Sequence, residues 1–220
     1  MDASADSENT ILGVLYTPAQ RLLGDGRGSH DWEHTLRVLR LCRRLGPAEG
    51  CDMAVLSAAA LLHDIGRHHQ DETNGAVCHG DKGAELAAPL LAGLPLTGPQ
   101  RENVLHCIRA HRYRNADPPA TIEARVLYDA DKLDAIGAVG VARAFLFAGE
   151  VGAALHTRTA GIEETAPYSR DDTGYREFRV KLRHIRERML TDSGRRLAAE
   201  RHRFMEAFFA RFLEELEGKA

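Results

Sequence analysis

Apolar residues recur at three- and four-residue spacing along almost the whole of this chain, and no run alternates long enough to make a strand. A chain patterned this way buries its apolar residues only by packing amphipathic helices against one another, so the expected fold class is all-α. The pattern predicts a first helix through Ile11, Leu12, Leu15, Leu22 and Leu23, bent near Pro18 and ending in the glycine-rich GDGRGS. A second runs from about Asp31 to Leu45 with a stripe at Val38, Leu41 and Leu45; His34 continues that stripe and should point inward. A third covers roughly Met53 to Ile65, with Gly66 as its stop. Others are expected at about Lys82 to Leu91, Pro99 to Ala110, Ile122 to Asp134 and across GAVGVARAFLFAGE. After an irregular stretch from about Gly152 to Thr173, two long amphipathic helices close the chain, split near TDSGR, with Thr191 or Asp192 as the N-cap of the last.

The third helix ends in AALLHDIG, Ala59 to Gly66, which sets an imidazole and a carboxylate at the end of an apolar run. Two ionisable groups in a dry setting cost several kcal/mol unless an opposite charge or a metal compensates. His63 and Asp64 therefore call for partners. A partner must be of ligand type and lie on the apolar face of its own helix, a test that His34 meets. LYDADKLDAIG offers Asp129, Asp131 and Asp134; Leu127, Asp131, Asp134 and Ala138 share one helical face, and Asp129 falls on another, nearer Leu133 and Ile136. Asp131 is accordingly the expected ligand and Asp134 an outer residue orienting a histidine or water.

Two imidazoles and two carboxylates suit one divalent transition metal, Mn²⁺, Fe²⁺, Ni²⁺, Co²⁺ or Zn²⁺, among which ligand softness does not choose. Such a site leaves coordination positions for water and substrate, the requirement for metal-assisted hydrolysis. Composition agrees with a metal: eight of the eleven histidines (His30, His34, His63, His68, His69, His79, His106 and His111) lie at or before residue 111. The net charge of −3 argues against a nucleic-acid duplex as partner. No apolar stretch is long enough to span a membrane, and Cys42, Cys51, Cys78 and Cys107 form no CxxC pair, so a cytoplasmic, reduced protein is expected.

His34 within HDWEHTLRV, the HD of His63 and Asp64, and the aspartate in DADKLDAIGAVGVAR resemble the HD superfamily of metal-dependent phosphohydrolases, whose ligand order is H…HD…D. The resemblance extends to the C-terminal TDSGRRLAAERHRFMEAFFARFLEEL, which is similar to the tail of a branch of small bacterial and archaeal HD proteins. It implies metal ligands His34, His63, Asp64 and Asp131 at the middle of a helical bundle. Residues 1–220 then read as a single HD-type domain, with a metal-site core at about 30–135 and C-terminal helices at about 172–217.

Some branches of that superfamily place two more histidines between the HD pair and the last aspartate and use them for a second metal bridged by the HD aspartate. His79 and His111 fall in that order here. The other role open to them, and the preferred one, is as hydrogen-bond donors to substrate phosphate near the mouth of the site. The GYP signature of the cyclic dinucleotide phosphodiesterases is missing, and nothing matches the extra domains of the guanosine tetraphosphate hydrolases. Arg67, Lys132 and Arg143 are candidate phosphate partners, Arg143 only if its helix packs back across the site.

His30, His68 and His69 lie in polar, loop-like settings, and Asp31 is expected to cap its helix. The expected function is hydrolysis of a small phosphorylated molecule, a nucleotide above all, with Asp64 or a nearby carboxylate assisting proton transfer and Arg67, Lys132 or His111 stabilising phosphate charge. The alternatives are a di-iron oxygenase using His79 and His111 and a nucleotide-binding regulator without turnover. The long C-terminal helices either cover the core or pair two subunits as a homodimer.

Overall fold

A computed structural model describes residues 3–24, 31–73, 75–113 and 118–219; His30 and most of GDGRGS fall outside the described residues. Ten α-helices and two 3-10 segments account for most of the described chain, and no strand occurs among the described residues. The chain divides into two compact units, residues 1–131 and 132–220.

The first unit is built around its most apolar helix. α3 (Met53–Leu62) has the sequence MAVLSAAALL and is buried from Ala54 to Leu62. A helix buried on every side needs partners on every side, and α3 packs against α1 (Ala3–Leu23), α2 (Trp32–Glu49), α5 (His79–Ala92) and α6 (Gly98–Ala110). Its one interior hydroxyl, Ser57, donates to Glu8 of α1 at 2.8 Å, and Glu8 in turn accepts from Arg43 of α2 at 3.0 Å. Asp52 caps the start of α3 by accepting from the amides of Ala54 and Val55. Glu123, in the first turn of α7 (Ile122–Asp134), accepts from the Asp52 amide and from Asn103 of α6. This network fixes the direction in which α7 leaves the loop before it.

The expected stripe of α2 is observed: His34, Val38, Leu41 and Leu45 are all buried. Asp31 is the N-cap, accepting from the His34 amide at 2.8 Å, so the first turn that carries His34 is anchored by its neighbour. Three expectations are corrected. α3 stops at Leu62 rather than Ile65, and His63 to Gly66 form a turn. His68 and His69 lie in a short helix, α4 (Arg67–Glu72), not in a loop; the run has no apolar face to announce it. α5 begins at His79, a full turn before Lys82.

In the second unit, α8 (Gly137–Glu150) and α10 (Asp192–Leu216) pack together around Phe145, whose ring meets those of Phe208, Phe209 and Phe212. The first of the two expected long closing helices is absent as such. In its place are α9 (Gly174–Val180) and a 3-10 segment (Leu182–Arg188). Buried Leu182 and Ile185 recur at three residues, a spacing that over so short a run fits the tighter helix as well as the α-helix. Thr191 caps α10 by accepting from the Gly194 amide at 3.1 Å, as expected. Arg176 ties the irregular stretch to α9 by donating to Asp172, to the Thr165 hydroxyl and to the Thr165 carbonyl.

Candidate metal centre

Six ligand-type side chains converge in the first unit, and each comes from an element whose local sequence aims it. His34 sits on the buried face of α2, and His63 and Asp64 occupy the turn that ends α3. His79 is the first residue of α5, His111 follows the last residue of α6, and Asp131 lies in α7. They form two clusters, His34 with His63 and Asp131, and Asp64 with His79 and His111; within each the ligand atoms lie within 4.8 Å of one another.

Asp64 joins the clusters. Its Oδ2 is 3.7 Å from Nε2 of both His34 and His63, and its Oδ1 is 3.2 Å from His79 Nε2 and 3.7 Å from His111 Nε2. His34 Nε2 is also 3.4 Å from Asp131 Oδ1. One carboxylate thus turns an oxygen to each pair of imidazoles.

The tautomers follow from what the other ring nitrogens touch. His63 Nδ1 lies 2.8 Å from the Ala60 carbonyl, and His111 Nδ1 lies 2.6 Å from the Ile108 carbonyl. A carbonyl only accepts, so both Nδ1 atoms carry the proton and donate. Each bond also satisfies a carbonyl near the end of its helix. His79 Nδ1 lies 2.9 Å from Gln70 Oε1, an atom that also takes a bond from Arg112 at 2.6 Å. Arginine only donates, which identifies the Gln70 atom as the oxygen and makes His79 Nδ1 a donor as well.

In their neutral forms all three rings therefore present bare lone pairs at Nε2. Burial pushes the His63 imidazole down to about 4, and burial together with His111 pushes His79 down to about 2, so protonation is not the remedy. Yet His79 Nε2 and His111 Nε2 face each other at 2.9 Å, and His63 Nε2 and His34 Nε2 at 3.4 Å. Lone pairs converging on a carboxylate in a dry interior are what a divalent cation compensates, and nitrogen and oxygen donors of this kind match the transition metals named above. The residues present fit one such metal, or two with Asp64 shared.

This electrostatic frame has a consequence for the metal-free chain. Both imidazoles are held below their usual 6.5, so the unfolded chain takes up protons that the folded chain refuses. Stability of the metal-free protein should fall as pH drops from about 6.5 towards about 4, the His63 window. Thermal melts of chelator-treated protein across that range check this, and a flat profile would contradict it.

His79 and His111 are each only 2% exposed and meet beside Asp64. Gly66 lets α5 come this close. A Cβ at residue 66 would lie 2.4 Å from the His79 carbonyl oxygen and 2.6 Å from the Gly83 amide nitrogen. Arg67 is partly exposed beside the HD turn, 3.4 Å from Asp71, and near enough to His79 to disfavour its charged form. Asp129 is fully buried.

Lys132, Asp134 and Arg143 belong to the second unit. There Arg143 donates to the Asp134 carboxylate at 2.6 Å and to the Asp134 carbonyl at 3.2 Å, which closes the end of α7. Gln70 and Arg112 were not foreseen. A glutamine in the polar run RHHQDE and an arginine in RAHRYR carry no sequence signal for such a role.

Comparison with known proteins places the site in context. The family model of the HD domain matches residues 31–136. The Bacillus subtilis protein YpgQ is 34% identical over 212 residues, which cover 93% of both chains. The crystal structure of YpgQ in complex with ADP superposes with a TM-score of 0.73 at 32% identity, covering 95% of this chain and 96% of that one. An HD-superfamily hydrolase from Bacillus thuringiensis gives a TM-score of 0.74 at 27% identity, covering 96% and 98%.

Proposed function

The chain belongs to the HD-domain superfamily of metal-dependent phosphohydrolases, and from that premise we propose that it hydrolyses a phosphoester or phosphoanhydride bond of a nucleotide. The observation that carries the proposal is the convergence of four imidazoles on the two oxygens of Asp64. The full-length likeness to a protein crystallised with ADP supports a nucleotide as the substrate.

His34, His63, Asp64 and Asp131 would hold one divalent metal, and His79 and His111, sharing Asp64, a second. When bound, such metals supply Lewis acidity, activating water and offsetting charge on a phosphoryl group. The chain's own contribution is orientation. Backbone carbonyls hold His63 and His111 in the ligating tautomer, and the Asp31 cap holds the first turn of α2. Arg67 is the cation we assign to substrate phosphate: its Nε has no hydrogen-bond partner, and its carboxylate neighbour Asp71 is an exposed residue that a phosphate can displace.

Four unpaired cysteines and the absence, among the described residues, of any helix long and apolar enough to cross a membrane fit the cytoplasmic setting we propose. The test is release of phosphate and of pyrophosphate from nucleoside di- and triphosphates with Mn²⁺, beside chelator-treated protein and an Arg67→Ala variant. Turnover that needs Mn²⁺, with KM raised about tenfold or more in Arg67→Ala, is expected from the loss of a charge-assisted contact. Oxygen consumption without phosphate release would point to a di-iron oxygenase, and tight nucleotide binding without turnover to a regulator.

A further inference from the structure

His79 is held differently from the other two rings whose tautomers are fixed. His63 and His111 sit at helix C-termini, where each finds a carbonyl three residues back in its own chain. His79 opens α5, and no carbonyl of its own helix precedes it. Its Nδ1 depends on a side chain of another helix, Gln70 of α4, at 2.9 Å. A carboxamide can present either an oxygen or an NH₂ group, and the second would reverse the tautomer of the ring. Arg112 removes that freedom, because its guanidinium meets the same Gln70 oxygen at 2.6 Å. Arg112 directly follows His111, so the chain of contacts runs from His79 through Gln70 and Arg112 back to the residue beside the second ligand.

We propose that Gln70 and Arg112 are positioning residues for a second divalent metal: they fix His79 as the Nδ1–H tautomer and so leave its Nε2 lone pair facing Asp64 and His111. The inference rests on the two-metal reading of the site. It assigns unequal footing to the two clusters. His63 of the first cluster is oriented by a carbonyl of its own helix, whereas His79 of the second depends on one exchangeable hydrogen bond from α4. Gln70→Leu deletes the acceptor. Arg112→Met keeps the acceptor but lets the carboxamide turn. Gln70→Glu keeps an acceptor that cannot present NH₂.

The experiment is Mn²⁺ titration of the metal-free full chain, followed by elemental analysis, together with ¹⁵N NMR of the histidine rings in the metal-free protein. Wild type should take two equivalents. Gln70→Leu should lose roughly 10- to 100-fold in affinity for one equivalent only, the range found when a partner of a ligating histidine is removed. Arg112→Met should lose less, and Gln70→Glu should recover most of the wild-type affinity. The His79 ring should show a protonated Nδ1 in wild type and a mixture of tautomers in Gln70→Leu.

A role in packing alone would lower the melting temperature without changing the tautomer, and that result would overturn the inference. Two tight equivalents in both wild type and Gln70→Leu would overturn it while leaving the two-metal reading intact. One equivalent in wild type, unchanged by His111→Ala, would overturn both.

Discussion

Asp64→Asn is expected to abolish hydrolysis, by about three orders of magnitude or more, and at the same time to raise the melting temperature of the metal-free chain. The first effect follows from geometry. Asp64 offers an oxygen to both imidazole pairs, so losing its charge weakens each cluster, and the several kcal/mol of charge stabilisation that metals supply goes with them. The second effect follows from the same contacts read without metal. A carboxylate only 3% exposed carries a desolvation cost that a neutral asparagine avoids, and the asparagine amide can donate to an imidazole nitrogen. Wild type should also be stabilised by Mn²⁺, by about 2.7 kcal/mol at a hundred times the dissociation constant, or roughly 5–10 °C for a chain of this length. Asp64→Asn should lose that shift. Melting curves with and without Mn²⁺, set beside turnover, check both effects; a variant that melts lower without metal and still responds to Mn²⁺ would contradict them.

Gly66→Ala should be severe although the new side chain is a single methyl group. Gly66 has φ of −87°, open to any residue, so conformation is not the obstacle. Space is: the added Cβ would fall 2.4 Å from a backbone oxygen and 2.6 Å from a backbone nitrogen of α5, neither at the end of a flexible side chain. The HD turn and α5 must then move apart, which costs about 3 kcal/mol or more. His79 begins α5, so the same movement draws its ring away from Asp64. A loss of stability together with loss of one Mn²⁺ equivalent, the His34, His63 and Asp131 cluster being retained, is expected from denaturant titration and elemental analysis. Wild-type stability in Gly66→Ala would refute the close approach of the turn and α5.

The residues of the candidate centre that are legible in the sequence are those on strongly patterned helices. His34 continues the stripe of Val38, Leu41 and Leu45, and Asp131 shares a face with Leu127, so periodicity alone turns each inward. His63 and Asp64 stand out because a charged pair follows an apolar run. The burial of His79 and His111 was not legible, because it depends on glycine contacts between elements far apart in sequence. Gly66 against Gly83 is one, and Gly80 against the Ile108 and Arg109 carbonyls is another. α4 was missed because RHHQDE has no buried residue to set a period, and Gln70 with it. The break between α9 and the 3-10 segment was missed because apolar residues three apart fit both kinds of helix.

The most direct measurement is the number of Mn²⁺ ions retained per chain, by elemental analysis, in wild type, His63→Ala and His111→Ala. Two in wild type and one each in His63→Ala and His111→Ala are expected if Asp64 joins two clusters. A folded wild-type chain that retains no metal, or a His63→Ala variant that retains the full complement, would contradict the assignment of this centre.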